Sequence, residues 1–86
     1  MRIAPRVGAT TDDDKVYLAH LPDGPIRVLE GTAALIWSHA LAVPRFRLTA
    51  ALAEELEREP GTIDAEVSAF VDALMAEGLL VEDGEV

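Results

Sequence analysis

Val16-Tyr17-Leu18-Ala19-His20-Leu21-Pro22-Asp23-Gly24-Pro25-Ile26-Arg27-Val28-Leu29-Glu30-Gly31-Thr32-Ala33-Ala34-Leu35-Ile36-Trp37 contains the change of character on which the fold turns. Val16 to Leu21 opens with β-branched and aromatic residues and reads as a strand. Pro22-Asp23-Gly24-Pro25 is the sharpest turn in the chain: proline presets φ, and Asp-Gly tolerates positive φ. Ile26 to Leu29 is a second short apolar run, so the two runs form a hairpin. After Gly31, Thr32 is placed to cap a helix over Ala33 to Leu41. Leu35, Ile36 and Trp37 cover a wide helical arc, which predicts burial on most sides.

Upstream, Arg2 to Val7 reads as a first strand weakened by Pro5, and Gly8 to Lys15 as a polar connection. Downstream, Pro44 ends the first helix. Leu48, Leu52 and Leu56 recur every four residues, giving a second helix over Thr49 to Arg58. Pro60-Gly61 breaks it. Thr62 or Asp64 then caps a third helix, Ile63 to Glu77, with Ile63, Val67, Phe70 and Leu74 as its inward stripe. Gly78 is the stop, Leu79 to Val81 a short apolar tail, and Glu82 to Val86 a fraying end. Strands followed by helices make an α+β chain. The economical closure is a single domain over 1–86, with a three-stranded antiparallel sheet packed on three helices. The second and third helices form a helix-turn-helix pair.

Composition narrows the function. At 86 residues there is room for one core but little for a deep catalytic cleft as well. With no cysteine, disulfides, thiolate nucleophiles and cysteine-held metals are out, and a cytoplasmic location is the expectation. No apolar run reaches a membrane span. The net charge of -9 is lopsided. Residues 1–47 hold six of the seven basic residues against five acids, whereas residues 48–86 hold only Arg58 against eleven acids. The acidic half repels nucleic acid and anionic membrane and suits a basic partner.

Catalytic constellations are missing. His20 and His39 have no second histidine at ligand spacing, and both read as structural. Ser38 adjoins His39, but neighbouring helical residues point apart, and no orienting third group or elbow motif accompanies them. The isolated glycines form no phosphate loop. Asp12-Asp13-Asp14 lacks the alternation and distal glutamate of a calcium loop and reads as a solvated turn. No metal and no cofactor are expected. The third helix, in the place of a DNA-reading helix, carries Asp64, Glu66, Asp72 and Glu77 and no lysine or arginine, so it has no donors for phosphates or guanine edges.

Val71 and Met75 widen the third helix's apolar stripe onto one flank. Two readings stand: a broad core face, or the wall of a groove whose other side is the edge strand Ile26–Leu29. In the second reading an extended peptide adds as a strand, with Asp64, Ser68 and Asp72 beside it.

The segment Leu21 to Trp37, followed by Ile63-Asp64-Ala65-Glu66-Val67-Ser68-Ala69-Phe70-Val71-Asp72-Ala73-Leu74 and Gly78-Leu79-Leu80, resembles PqqD-like proteins across residues 16–81. In order and spacing the two segments are similar to that family's hairpin, helix start and third helix. The resemblance implies a winged helix-turn-helix-like fold and a non-catalytic recognition element. Such an element binds the leader of a ribosomally made precursor peptide and presents it to a modifying enzyme or leader peptidase. Free-standing elements of this kind include the lasso-peptide B1 type. The resemblance places the leader beside the third strand (Ile26, Arg27, Val28, Leu29) and against the third helix (Asp64, Val67, Ser68, Val71, Asp72, Met75). At Val28-Leu29-Glu30-Gly31 the sequence departs from the leucine-asparagine pair of many members, which leaves the subfamily open. The alternative function is a winged-helix transcriptional regulator or its accessory subunit. An exposed third-strand edge also leaves a homodimer open.

Overall fold

The structure, a computed structural model, describes residues 1–82. Its elements are β1 (Arg2–Ile3), β2 (Val7–Asp12), β3 (Lys15–His20), β4 (Ile26–Glu30), α1 (Thr32–Ala42), α2 (Arg45–Leu56), α3 (Pro60–Ala76) and β5 (Leu80–Val81). The α+β expectation holds: β2, β3 and β4 form a three-stranded antiparallel sheet, and three helices pack on it.

The first strand is not where the sequence put it. Arg2–Ile3 pairs with Leu80–Val81 in a separate two-stranded ribbon, and the chain breaks at Arg6, whose φ is 65°. The supposed polar connection instead supplies β2. Asp12 lies opposite Lys15, so Asp13-Asp14 is a two-residue hairpin loop, with Asp13 at φ 56°. Aspartate tolerates that conformation better than most residues. As an edge strand, β2 leaves Ala9 to Asp12 exposed, so its sequence lacks the alternation that marks a half-buried strand.

Helix boundaries also shift. Gly31, at φ 62° and ψ -131°, is the N-cap of α1; Thr32 is the first helical residue and no side chain caps this end. That backbone conformation belongs essentially to glycine, and it turns β4 straight into the helix. Gly31→Ala is therefore expected to cost about 1–3 kcal/mol of stability, measurable by urea denaturation. The second helix begins at Arg45 rather than Thr49. Pro44 both ends α1 and serves as the N-cap of α2, its carbonyl accepting from Arg47 N at 2.9 Å. The third helix begins at Pro60, where a missing N–H costs nothing, with Glu59 rather than Thr62 or Asp64 as the N-cap. Gly78 stops α3 as expected, at φ 75°, while Leu79 N bonds back to Leu74 O at 2.9 Å.

The core lies between the inner face of the sheet and the helices. Val16, Leu18 and Leu29 meet Ile36 and Trp37 of α1, Leu48 and Leu52 of α2, and the inward residues of α3. On α3 the buried stripe is Ile63, Val67, Val71 and Leu74; Phe70, read from the sequence as core, is only partly buried. Of the predicted fraying end, Glu82 pairs with Arg45, and the remainder lies outside the described residues.

Candidate functional site

Among the described residues, sheet order makes β4 an edge, with β3 on one side and no strand on the other. Its side chains divide by the pleat. Leu29 is buried in the core, and Arg27, half-buried, reaches towards α3. Ile26 and Val28 point to the outer face and are 70% and 46% exposed. The backbone of this edge offers a row of donors and acceptors that an extended chain can pair with.

The C-terminal end of α3 meets this strand through one ion pair. Arg27 Nη1 donates to both carboxylate oxygens of Glu77. By helical spacing Glu66, Phe70 and Ala73 share the side of α3 on which Glu77 lies. A hollow of about 300 Å3 opens at this end, lined by His20, Pro25, Ile26, Arg27, Glu77 and Leu79. His20 Nε2 donates to Glu77 O at 2.8 Å, tying the end of β3 to the end of α3. The Arg27–Glu77 pair is roughly two-fifths exposed on each side, so Glu77→Ala is expected to cost under about 1 kcal/mol in a thermal melt.

The helix residues singled out from the sequence lie on a different flank. Thr49 Oγ1 donates to Asp64 at 3.0 Å, and Arg45 donates to Asp72. Arg45 also approaches Met75 Sδ at 3.5 Å and Glu82 at 3.5 Å. The hydrogen bond to Asp72 holds the Arg45 guanidinium above its ordinary pKa, so it is charged throughout the working range. Asp64, Val67, Ser68 and Val71 line a small hollow of about 190 Å3 against the start of α2. Val71 is 1% exposed and Val67 4%, so both are core residues; Met75 is half-buried against the same core. Of the two readings of Val71, the broad core face is the one the structure shows. Among the described residues, Ile26 and Arg27 of the strand line one hollow and Asp64, Val67, Ser68 and Val71 of the helix line another. His20, Pro25, Glu77 and Leu79 line the hollow beside β4 and were not among the residues singled out from the sequence. Arg27 and Glu77 come together from positions 50 apart in the chain, a contact with no local signature.

Comparison with known proteins now bears on this cleft. Residues 16–80 match the family described as coenzyme PQQ synthesis protein D, PqqD. The chain belongs to the PqqD family. The match includes β3, β4, all three helices and the first residue of β5, and therefore both partners of the Arg27–Glu77 pair. A solved structure, that of TbiB1 in complex with the TbiA(beta) leader peptide, superposes with a TM-score of 0.81 at 27% identity. It covers 100% of this PqqD-family chain and 99% of TbiB1. No curated protein matches the sequence. None of the helices in the described residues of this PqqD-family chain is long and apolar enough to cross a membrane.

Proposed function

We propose that this chain is a leader-peptide recognition element. It binds the leader of a ribosomally synthesised precursor as an added strand on β4 and presents the precursor to a modifying enzyme or leader peptidase in the cytoplasm. The observation that carries this reading is the full-length similarity to TbiB1, a protein solved with a leader peptide, in a chain whose β4 is an edge strand among the described residues and is tied to the end of α3 by the Arg27–Glu77 pair. The chain has no turnover of its own. Its contribution is to raise the local concentration of the core peptide at the enzyme that processes it.

An unpaired edge supplies affinity through main-chain bonds, and the neighbouring hollow supplies selectivity. Leu29 supports the strand from the core, while Ile26, Arg27 and Val28 border the peptide. On α3, the contribution falls to Phe70, Ala73 and Glu77 rather than to Asp64, Ser68 and Asp72. The DNA-binding alternative gains nothing, since α3 presents carboxylates and no basic side chain.

The test uses fluorescein-labelled leaders from short precursor reading frames adjacent to the gene, and a matching set N-methylated at one residue each. Strand addition predicts a period-two pattern. Alternate N-methyl groups lower affinity about tenfold or more, and the intervening ones change it little. Uniform tolerance of N-methylation, or amide shifts in heteronuclear NMR spectra confined to residues away from β4, overturns the reading.

A further inference from the structure

Apart from the cleft, two surface features of the chain match one another. The first is the corner between α1 and α2. Phe46, in the first turn of α2, is 86% exposed, and Leu41 beside the same corner is 36% exposed. Arg45 and Arg47 flank the phenyl ring in sequence, and no acid occupies that first turn. Cations there oppose the helix dipole; Arg45 is held by Asp72 and Glu82. Arg47 makes no ion pair among the described residues. An aromatic ring bordered by arginine is the composition that interface anchors favour.

The second feature is a hollow of about 210 Å3 between the β2–β3 loop and the first half of α1. Val16, Ala34 and Leu35 make its lining largely apolar, and Asp13 and Asp14 stand at its mouth. Neither aspartate is ion-paired among the described residues; the adjacent Lys15 is taken by Glu30 at 3.6 Å. An apolar cavity of roughly 150 Å3 accepts a benzene ring, so this hollow has room for a phenyl group. The knob is apolar with a basic border, and the hollow is apolar with an acidic one.

We propose that the Phe46 knob of one copy seats in the Asp13/Asp14-rimmed hollow of a second copy, with Arg47 facing the two carboxylates. The contact is heterologous, because each copy uses a different surface as donor and acceptor. It therefore propagates into short chains or closes into a ring rather than stopping at a two-fold dimer. The net charge of -9 opposes association at long range. At physiological salt that repulsion is screened beyond about 8 Å, and the local pairing decides.

Sedimentation velocity of the full chain, over about 10–500 µM at physiological salt, tests the contact by mass action. The expected result is a sedimentation coefficient that rises with concentration. Phe46→Asp alone, and Asp13→Lys with Asp14→Lys, each abolish the rise while keeping the wild-type circular dichroism and melting temperature. Mixing those two variants restores association but stops it at a heterodimer, since one retains only the hollow and the other only the knob. A chain that stays monomeric across the range overturns the proposal. So does association that survives both variants, or a mixture that remains monomeric. If association is lost in Leu21→Glu but persists in Phe46→Asp, the outer sheet face is the contact and the proposal fails.

Discussion

Trp37→Ala is expected to destabilise the fold by about 3–5 kcal/mol, a large share of its total stability. Trp37 is 3% exposed and stands in α1, the helix that touches β4, α2 and α3. Truncating a buried tryptophan costs about 3–5 kcal/mol, the sum of lost apolar burial and the cavity left behind. A domain of this length holds on the order of 4–13 kcal/mol in total. Relaxation cannot fill the space cheaply, because Ala34 and Ala40 on the same helix are already small and buried. Urea unfolding followed by far-UV circular dichroism checks it; fluorescence cannot, since Trp37 is the sole tryptophan. A loss below about 1 kcal/mol would mean that α1 is not the centre of the core.

The second large effect separates the two flanks of α3. Phe70→Ala is expected to weaken leader binding by about 30-fold, the loss typical of an aromatic contact at the centre of an interface. Arg27→Glu sets a second carboxylate against Glu77 at the end of the cleft and is expected to weaken binding at least tenfold. Asp72→Lys, on the flank towards α2, is expected to leave affinity within about twofold. Asp72 is 65% exposed and its partner is Arg45, so the variant disturbs the α2–α3 contact and not the cleft. Titration of labelled leader with each variant, below its melting temperature, reads all three. The reverse order, with Asp72→Lys damaging and Phe70→Ala silent, would return the site to the flank that the sequence suggested. Val71→Asp is uninformative about the cleft, because a carboxylate at a 1% exposed position unfolds the core.

This contrast shows where legibility stopped. The Pro22–Pro25 turn, the apolar runs on either side, the Gly78 stop and the four-residue leucine spacing all act within a few residues of chain. Local stereochemistry and hydrophobic period therefore announced the hairpin, the three helices and the α+β order. Boundaries were less legible where one residue serves two elements: Pro44 stops α1 and caps α2, and Gly31 ends β4 and caps α1. The polar edge strand β2 was invisible because its order comes from pairing with β3, a relation between segments rather than a pattern within one.

By itself the sequence determined the fold class, the strand Ile26–Leu29 and the acidic character of the third helix. Those follow from turn chemistry, periodicity and charge, which any window of the chain displays. Which flank of that helix faces the strand was decided only by tertiary structure. Phe70 and Val71 lie about 100° apart on the helix, so the rotation of α3 about its axis decides which of them is buried more deeply. The packing of α2 against α3 and the Arg27–Glu77 pair set that rotation, and neither contact has a local signature in the sequence.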